Sequence, residues 1–151
     1  MAGEGDFAPG FELNEIGGGA WKLGEALVDG PVLLVFFKIS CPTCQFTLPF
    51  LQRLKPALRV MAISQDDAKG TAQFRERFGI SLPTLLDPAW AFPVSSAFGI
   101  SHVPALFLVE PDGAISMAVE GFSRSHIEEL GARFGVAAFR EEEQIPLLRP
   151  G

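Results

Sequence analysis

The run "PVLLVFF" at 31–37 is apolar at every position, leaving no polar side to face water. A strand covered on both faces reads this way, as the inner strands of a parallel sheet do. "LRVMAIS" at 58–64 predicts a second strand of the same kind. Between them the period changes. From Cys41 onward, Phe46, Phe50 and Leu54 recur at every fourth position with Leu51 beside them, the apolar face of a helix. Pro49 falls inside that helix, where its missing N–H predicts a kink. After the second strand, Asp66 or Asp67 offers an N-cap, Phe74 and Phe78 share one face, and Gly79 offers a C-cap.

The flanking segments are shorter. "FELNEIGGGAWKLGEAL" at 11–27 reads as two strands around Gly17, Gly18 and Gly19, with a helical turn after Lys22. No Gly-Lys-Ser/Thr follows the glycines and no helix starts there, so they form a hairpin turn and not a phosphate loop. "LPTLLD" at 82–87 predicts a short strand or turn, and "FPVSSAFGI" at 92–100 a short helix. "ALFLV" at 105–109, the turn Pro111-Asp112-Gly113 and "AISMAV" at 114–119 predict a hairpin. Ser125 with Glu128 predicts a capping box opening a last helix that runs to Phe134. Alternating strands and helices followed by a hairpin predict an α/β fold. Its central mixed β-sheet would be flanked by helices, with an N-terminal β-hairpin extension at 11–23. The expected domain spans 1–138, and 139–151, with Glu141, Glu142 and Glu143, reads as a solvated or docked tail. No internal repeat or low-complexity linker divides the chain.

Composition narrows the function. At 151 residues and 48% hydrophobic, the chain is long enough to bury a core without covalent staples. A net charge of −6 argues against nucleic acid, which requires a basic surface. No window of apolar residues is long enough for a membrane span. "MAGEGDFAPGF" lacks both a basic n-region and an apolar h-region. The expectation is therefore a cytoplasmic protein, or a periplasmic one if a leader has been removed, acting as a monomer or weak dimer without a cofactor.

Only two cysteines are present, Cys41 and Cys44, separated by Pro42 and Thr43. One close pair does not staple a domain, so redox chemistry or metal binding is the use that fits. The spacing places Cys41 at a helix N-terminus, where unpaired amides and the macrodipole favour an anion. In C-x-x-C motifs this setting depresses cysteine pKa to roughly 3.5–7.5. Cys44 follows one turn later and deeper. Cys41 is then the expected nucleophile and Cys44 the resolving thiol. Lys38 and His102 are candidate modulators, Lys38 by adding positive potential and His102 from the rim.

"FFKISCPTC" at a strand-to-helix junction, Pro49 past the second cysteine, and "HVPALFLVEPDG" at 102–113 together carry a family likeness. The chain resembles the thioredoxin-like superfamily, and within it the TlpA/ResA-type redoxins related to AhpC/TSA proteins, from about Phe11 to Phe134. The resemblance implies a thiol–disulfide oxidoreductase acting on a redox partner protein or a small disulfide. It implies that Pro104 is a cis-proline against the C-x-x-C and that Val103 hydrogen-bonds an extended substrate. Pro42 and Thr43 would join them in substrate binding, with Phe37 and Phe92 lining the groove. Thioredoxin itself has Trp before the first cysteine and a buried acid six residues before it, where this chain has Ser40 and Val35.

Two other readings compete. A peroxiredoxin-like peroxide reductase would place its peroxidatic cysteine at Cys44, with Thr or Ser three residues earlier and Arg opening the later strand. Cys41 and Pro104 occupy those positions. A Sco-like copper chaperone would bind Cu(I) through Cys41, Cys44 and His102, although such proteins carry C-x-x-x-C. Zinc would need His126 as well, a residue that reads as solvent-facing.

Overall fold

The computed structural model describes Met1–Gly151 in full. Nine strands are present: β1 (Glu12–Glu15), β2 (Ala20–Lys22), β3 (Val32–Phe37), β4 (Arg59–Ser64), β5 (Thr84–Leu86), β6 (Ala105–Val109), β7 (Ile115–Glu120), β8 (Phe122–Ser123) and β9 (Leu148–Arg149). The helices are α1 (Leu23–Ala26), α2 (Pro42–Gln52), α3 (Ala68–Phe78), α4 (Pro93–Ala97) and α5 (Arg124–Phe134). The first seven strands form one mixed sheet in the order β2-β1-β5-β4-β3-β6-β7. β3, β4 and β5 run parallel, β6 and β7 add an antiparallel edge, and β1 joins the N-terminal hairpin to β5 on the other side. The sequence-based expectation of an α/β fold with a flanked mixed sheet and an N-terminal hairpin holds.

The uninterrupted apolar run explains the position of β3. All six of its residues are buried, with β4 on one side and β6 on the other. Successive side chains alternate faces, so its two terminal phenylalanines anchor two different layers. Phe36 meets Phe98 and Phe107, with ring centroids 5.2 and 5.8 Å away. Phe37 meets Phe74 of α3 at 5.2 Å. Each such ring contributes about 1.5–3 kcal/mol through removal from water. The sheet end from which Cys41 emerges is therefore pinned on both faces.

Caps fix the helix ends, with one departure from expectation. Of the two candidate aspartates, Asp67 caps α3, accepting from Gly70 N–H at 2.7 Å. Gly79 ends the helix in the left-handed region at φ 64°. α2 runs through Pro49 to Gln52 without ending there. The capping box at α5 does not form: Ser123, not Ser125, is the N-cap, and Glu128 pairs with Arg124 at 2.9 Å instead of reaching back. Arg124 sits one turn before Glu128, and its guanidinium is the stronger partner for that carboxylate. After α5 the chain returns across the molecule, and β9 pairs with β8 in a separate two-stranded sheet.

Candidate active site

β3 ends at Phe37, and loop 38–40 turns into α2 with Cys41 as the N-cap. Side chains hold the loop. Ile39 N–H donates to the Asp66 carboxylate at 2.8 Å, and Gln45 Nε2 donates to the Ile39 carbonyl at 3.0 Å. A capping side chain accepts an amide that the first helical turn leaves unpaired. Here the acceptor is sulfur: Cys44 N–H donates to Cys41 Sγ at 3.1 Å. Cys41 Sγ thereby faces the positive end of an eleven-residue helix.

The two thiols are free and differ sharply in exposure, Cys41 half-buried and Cys44 0% exposed. Burial pushes the Cys44 pKa up, and its hydrogen bond with Cys41 adds to the rise. One sulfur is thus accessible at a helix end while the other is held protonated beneath it. Such an asymmetry suits two-step disulfide exchange.

The opposite wall comes from the segment before β6. The Val103–Pro104 bond is cis, and the Val103 carbonyl lies 3.5 Å from Cys41 Sγ and accepts from it. Gly121 N–H donates to the Pro104 carbonyl at 2.7 Å, tying this wall to the bend between β7 and β8. Thr43 is buried, and its Oγ1 donates to the Pro150 carbonyl at 2.6 Å. The last residues of the described chain therefore lie on the same face as the cysteines.

The structure brings together Cys41, Cys44, Thr43, Val103 and Pro104, with exposed Pro42 at the rim. Lys38 is exposed beside them and lines a small polar cavity with Gln65, Phe92, Ser95 and Val103. Phe92 accordingly borders the site, whereas Phe37 does not. Its ring is fully buried against Phe74, because the strand's alternation points it into the core. His102 is an exposed rim residue with Nδ1 3.1 Å from Ser101 Oγ. His126 is not simply solvent-facing: it is half-buried, with Nδ1 2.6 Å from Ser123 Oγ.

No group of three or more His, Cys, Asp or Glu side chains is arranged to hold a metal ion. The copper set of Cys41, Cys44 and His102 and the zinc set with His126 are therefore not assembled. Cys44, where a peroxidatic cysteine would stand, has no exposed surface, and Cys41 and Pro104 hold the positions where that chemistry needs Thr or Ser and Arg. Val35, at the position of the absent acid, is also fully buried.

Sequence reasoning missed Asp66 as the clamp on the cysteine loop and the tail as part of this face. Asp66 reads in the sequence as one of two candidate caps for α3, but Asp67 makes the cap and the Asp66 carboxylate accepts from Ile39 N–H instead. The hydrogen bonds that hold residues 147–150 on this face use the tail's backbone, which carries no residue signature.

Comparison with known proteins agrees with this geometry. The family model described as the AhpC/TSA family matches residues 5–118. The thiol-disulfide oxidoreductase ResA of Geobacillus thermodenitrificans is 27% identical over 123 residues, 78% of this chain and 69% of that protein. Among solved structures, the thioredoxin domain of a thiol-disulfide oxidoreductase from Bacteroides vulgatus superposes with a TM-score of 0.76 at 18% identity, covering 89% of this chain and 99% of that one. The peroxidoxin BcpB from Mycobacterium tuberculosis gives a TM-score of 0.75 at 23% identity, covering 89% and 97%. The chain belongs to the AhpC/TSA family, and its fold is that of the thioredoxin-like redoxins.

Proposed function

We propose that this protein catalyses thiol–disulfide exchange through Cys41 and Cys44 with a disulfide in a partner protein or a small oxidised thiol. The observation that carries the reading is the pairing of a half-exposed sulfur at the N-terminus of α2 with a fully buried one a single turn below. Membership of the AhpC/TSA family and kinship with ResA support the class, thiol–disulfide oxidoreductase.

The chemistry balances without a cofactor. Cys41 as thiolate attacks one sulfur of the partner disulfide. A new S–S bond joins Cys41 to the partner, and the partner's second sulfur leaves as a thiolate and takes up a proton. Cys44 then gives up its proton and attacks the Cys41 sulfur, closing Cys41–Cys44 and releasing the partner as a dithiol. Two electrons pass from this protein to its partner, and the reverse sequence oxidises a dithiol. The raised Cys44 pKa suits this order, since Cys44 stays protonated and inert until the mixed disulfide forms beside it. Val103 and Pro104 form the wall against which an extended partner segment would lie.

Trapping tests the reading. In Cys44→Ser the second step is removed, so a peptide disulfide should accumulate as a stable adduct on Cys41 that dithiothreitol releases. Cys41→Ser should form none. Stoichiometric Cu(I) binding with no adduct in either variant would instead establish the copper reading, and peroxide consumption that survives Cys41→Ser would establish the peroxidase.

A further inference from the structure

We propose that residues 145–151 act as a tethered occupant of the partner groove, a strap that must lift before an extended disulfide-bearing polypeptide can reach Cys41. The proposal rests on the exchange reading above and adds both the kind of partner and its control.

The strap docks as an extended peptide would, through its backbone. β9 pairs antiparallel with β8, Phe122 opposite Arg149 and Ser123 opposite Leu148. Arg124 N–H donates to the Leu147 carbonyl at 2.9 Å, and Thr43 Oγ1 donates to the Pro150 carbonyl at 2.6 Å. The end of the strap then reaches the wall itself. A Cβ placed on Gly151 would come 2.5 Å from the Val103 carbonyl oxygen, the atom that accepts from Cys41 Sγ. A Cβ on Gly121 would come 2.6 Å from the Arg149 carbonyl oxygen, so the underlying bend is also shaped for a chain passing over it. The Arg149 guanidinium sits 4.5 Å from the centre of the Phe46 ring, a cation–π contact on the helix that carries the cysteines.

The strap is firm at its root and weak at its tip. Arg53 grips Glu143 with two bonds of 2.7 and 2.9 Å and also donates to the Ala138 carbonyl at 2.7 Å. Phe139 packs on Phe50 with ring centroids 5.0 Å apart. Beyond that root, Leu147 and Leu148 are each 72% exposed, so the tip removes little apolar surface from water. A two-residue strand pair held mainly by backbone bonds is marginal on its own, and such segments open locally while the core stays folded. The strap therefore swings about its root, and opening uncovers Thr43 and the Val103 carbonyl together. Its sequence also describes the partner that fits: an extended segment with a cation over Phe46 and a residue of minimal size against Val103.

The test compares the full chain with a chain shortened after Gln144 and with Gly151→Val, whose new side chain collides with the Val103 carbonyl. The probe is a short extended peptide carrying one cysteine capped as its 5-thio-2-nitrobenzoate disulfide, and the released chromophore reports attack by Cys41. Both altered chains should react at least about tenfold faster, because only the strap-open fraction of the full chain is competent. Adding a free peptide with the sequence of residues 145–151 should slow the shortened chain again. Amide exchange gives a second readout: Arg124 N–H, protected by the Leu147 carbonyl, should lose protection in both variants and in the Cys41–peptide adduct. Equal rates with unchanged Arg124 protection would overturn the strap while leaving disulfide exchange standing. No attack by Cys41 in either the full or the shortened chain would overturn the exchange reading, and the strap's role with it.

Discussion

Cys44 lies beneath the first turn of α2 with no exposed surface, and Cys41 sits half-exposed at the turn's mouth. Desolvation disfavours a thiolate at Cys44, and the hydrogen bond with the Cys41 sulfur adds to that penalty. Iodoacetamide at pH 8 should therefore label Cys41 alone in the folded protein, with Cys44 reacting only after denaturation. Mass mapping of the alkylated peptide checks this, and equal labelling of both thiols in the native state would contradict it. The sign of the pH dependence follows from the same shift. A folded pKa raised above the ordinary 9.0 stabilises the protein below that value, and this stabilisation fades as alkaline pH ionises Cys44 in unfolded chains first. The residue types at 41 and 44 announced this chemistry because thiols are scarce in the chain. The opposite roles of their surroundings were less legible: Phe37 read as groove lining and lies in the core, since one step along a strand reverses the face.

At the scale of elements, helix termini carry the sharpest tests. Asp67 accepts from Gly70 N–H at 2.7 Å at the start of α3, whereas Ser125 makes no such bond at the start of α5. Asp67→Ala should cost about 1 kcal/mol, the ordinary worth of a lost N-cap. It would appear as a lower urea midpoint with an unchanged slope. Ser125→Ala should stay within about 0.5 kcal/mol of the parent, as substitutions away from special features do. A comparable loss at Ser125 would restore the capping box that the structure lacks. The contrast shows why some elements were readable. β3 and β4 are buried on both faces, so their sequences are apolar throughout, and α2 and α3 show their phenylalanines at helical spacing. A capping box is a pattern of only two residues, and here Arg124 diverts one of them. β9 had no pattern at all, with two residues, both side chains partly or wholly exposed, and a partner strand on the far side of α5, Phe122 opposite Arg149 and Ser123 opposite Leu148.

Across the whole molecule, the strap depends on an ion pair that joins α2 to the tail. Arg53 Nη1 and Glu143 Oε1 are 2.7 Å apart, and each side chain is partly screened from water, at 28% and 22% exposure. The Arg53 guanidinium holds the Glu143 carboxyl at about 2, with help from Arg140 N–H, which donates to the same carboxylate at 2.7 Å. A carboxyl whose folded pKa is depressed stabilises the folded state above its ordinary value of 4.5, and that contribution is lost as pH falls toward the folded value. Glu143→Gln abolishes the titrating charge but keeps the shape. The urea midpoint of the parent should therefore exceed that of Glu143→Gln at pH 7, and the gap should close between about pH 4.5 and pH 2. Because the same ion pair roots the strap, Arg124 amide protection in the parent should weaken over the same acidic interval before the core unfolds. A gap in midpoint that persists unchanged to pH 2 would mean that Glu143 acts through packing and not through its charge. The strap would then be rooted by Phe139 on Phe50 and by the Arg53 bond to the Ala138 carbonyl.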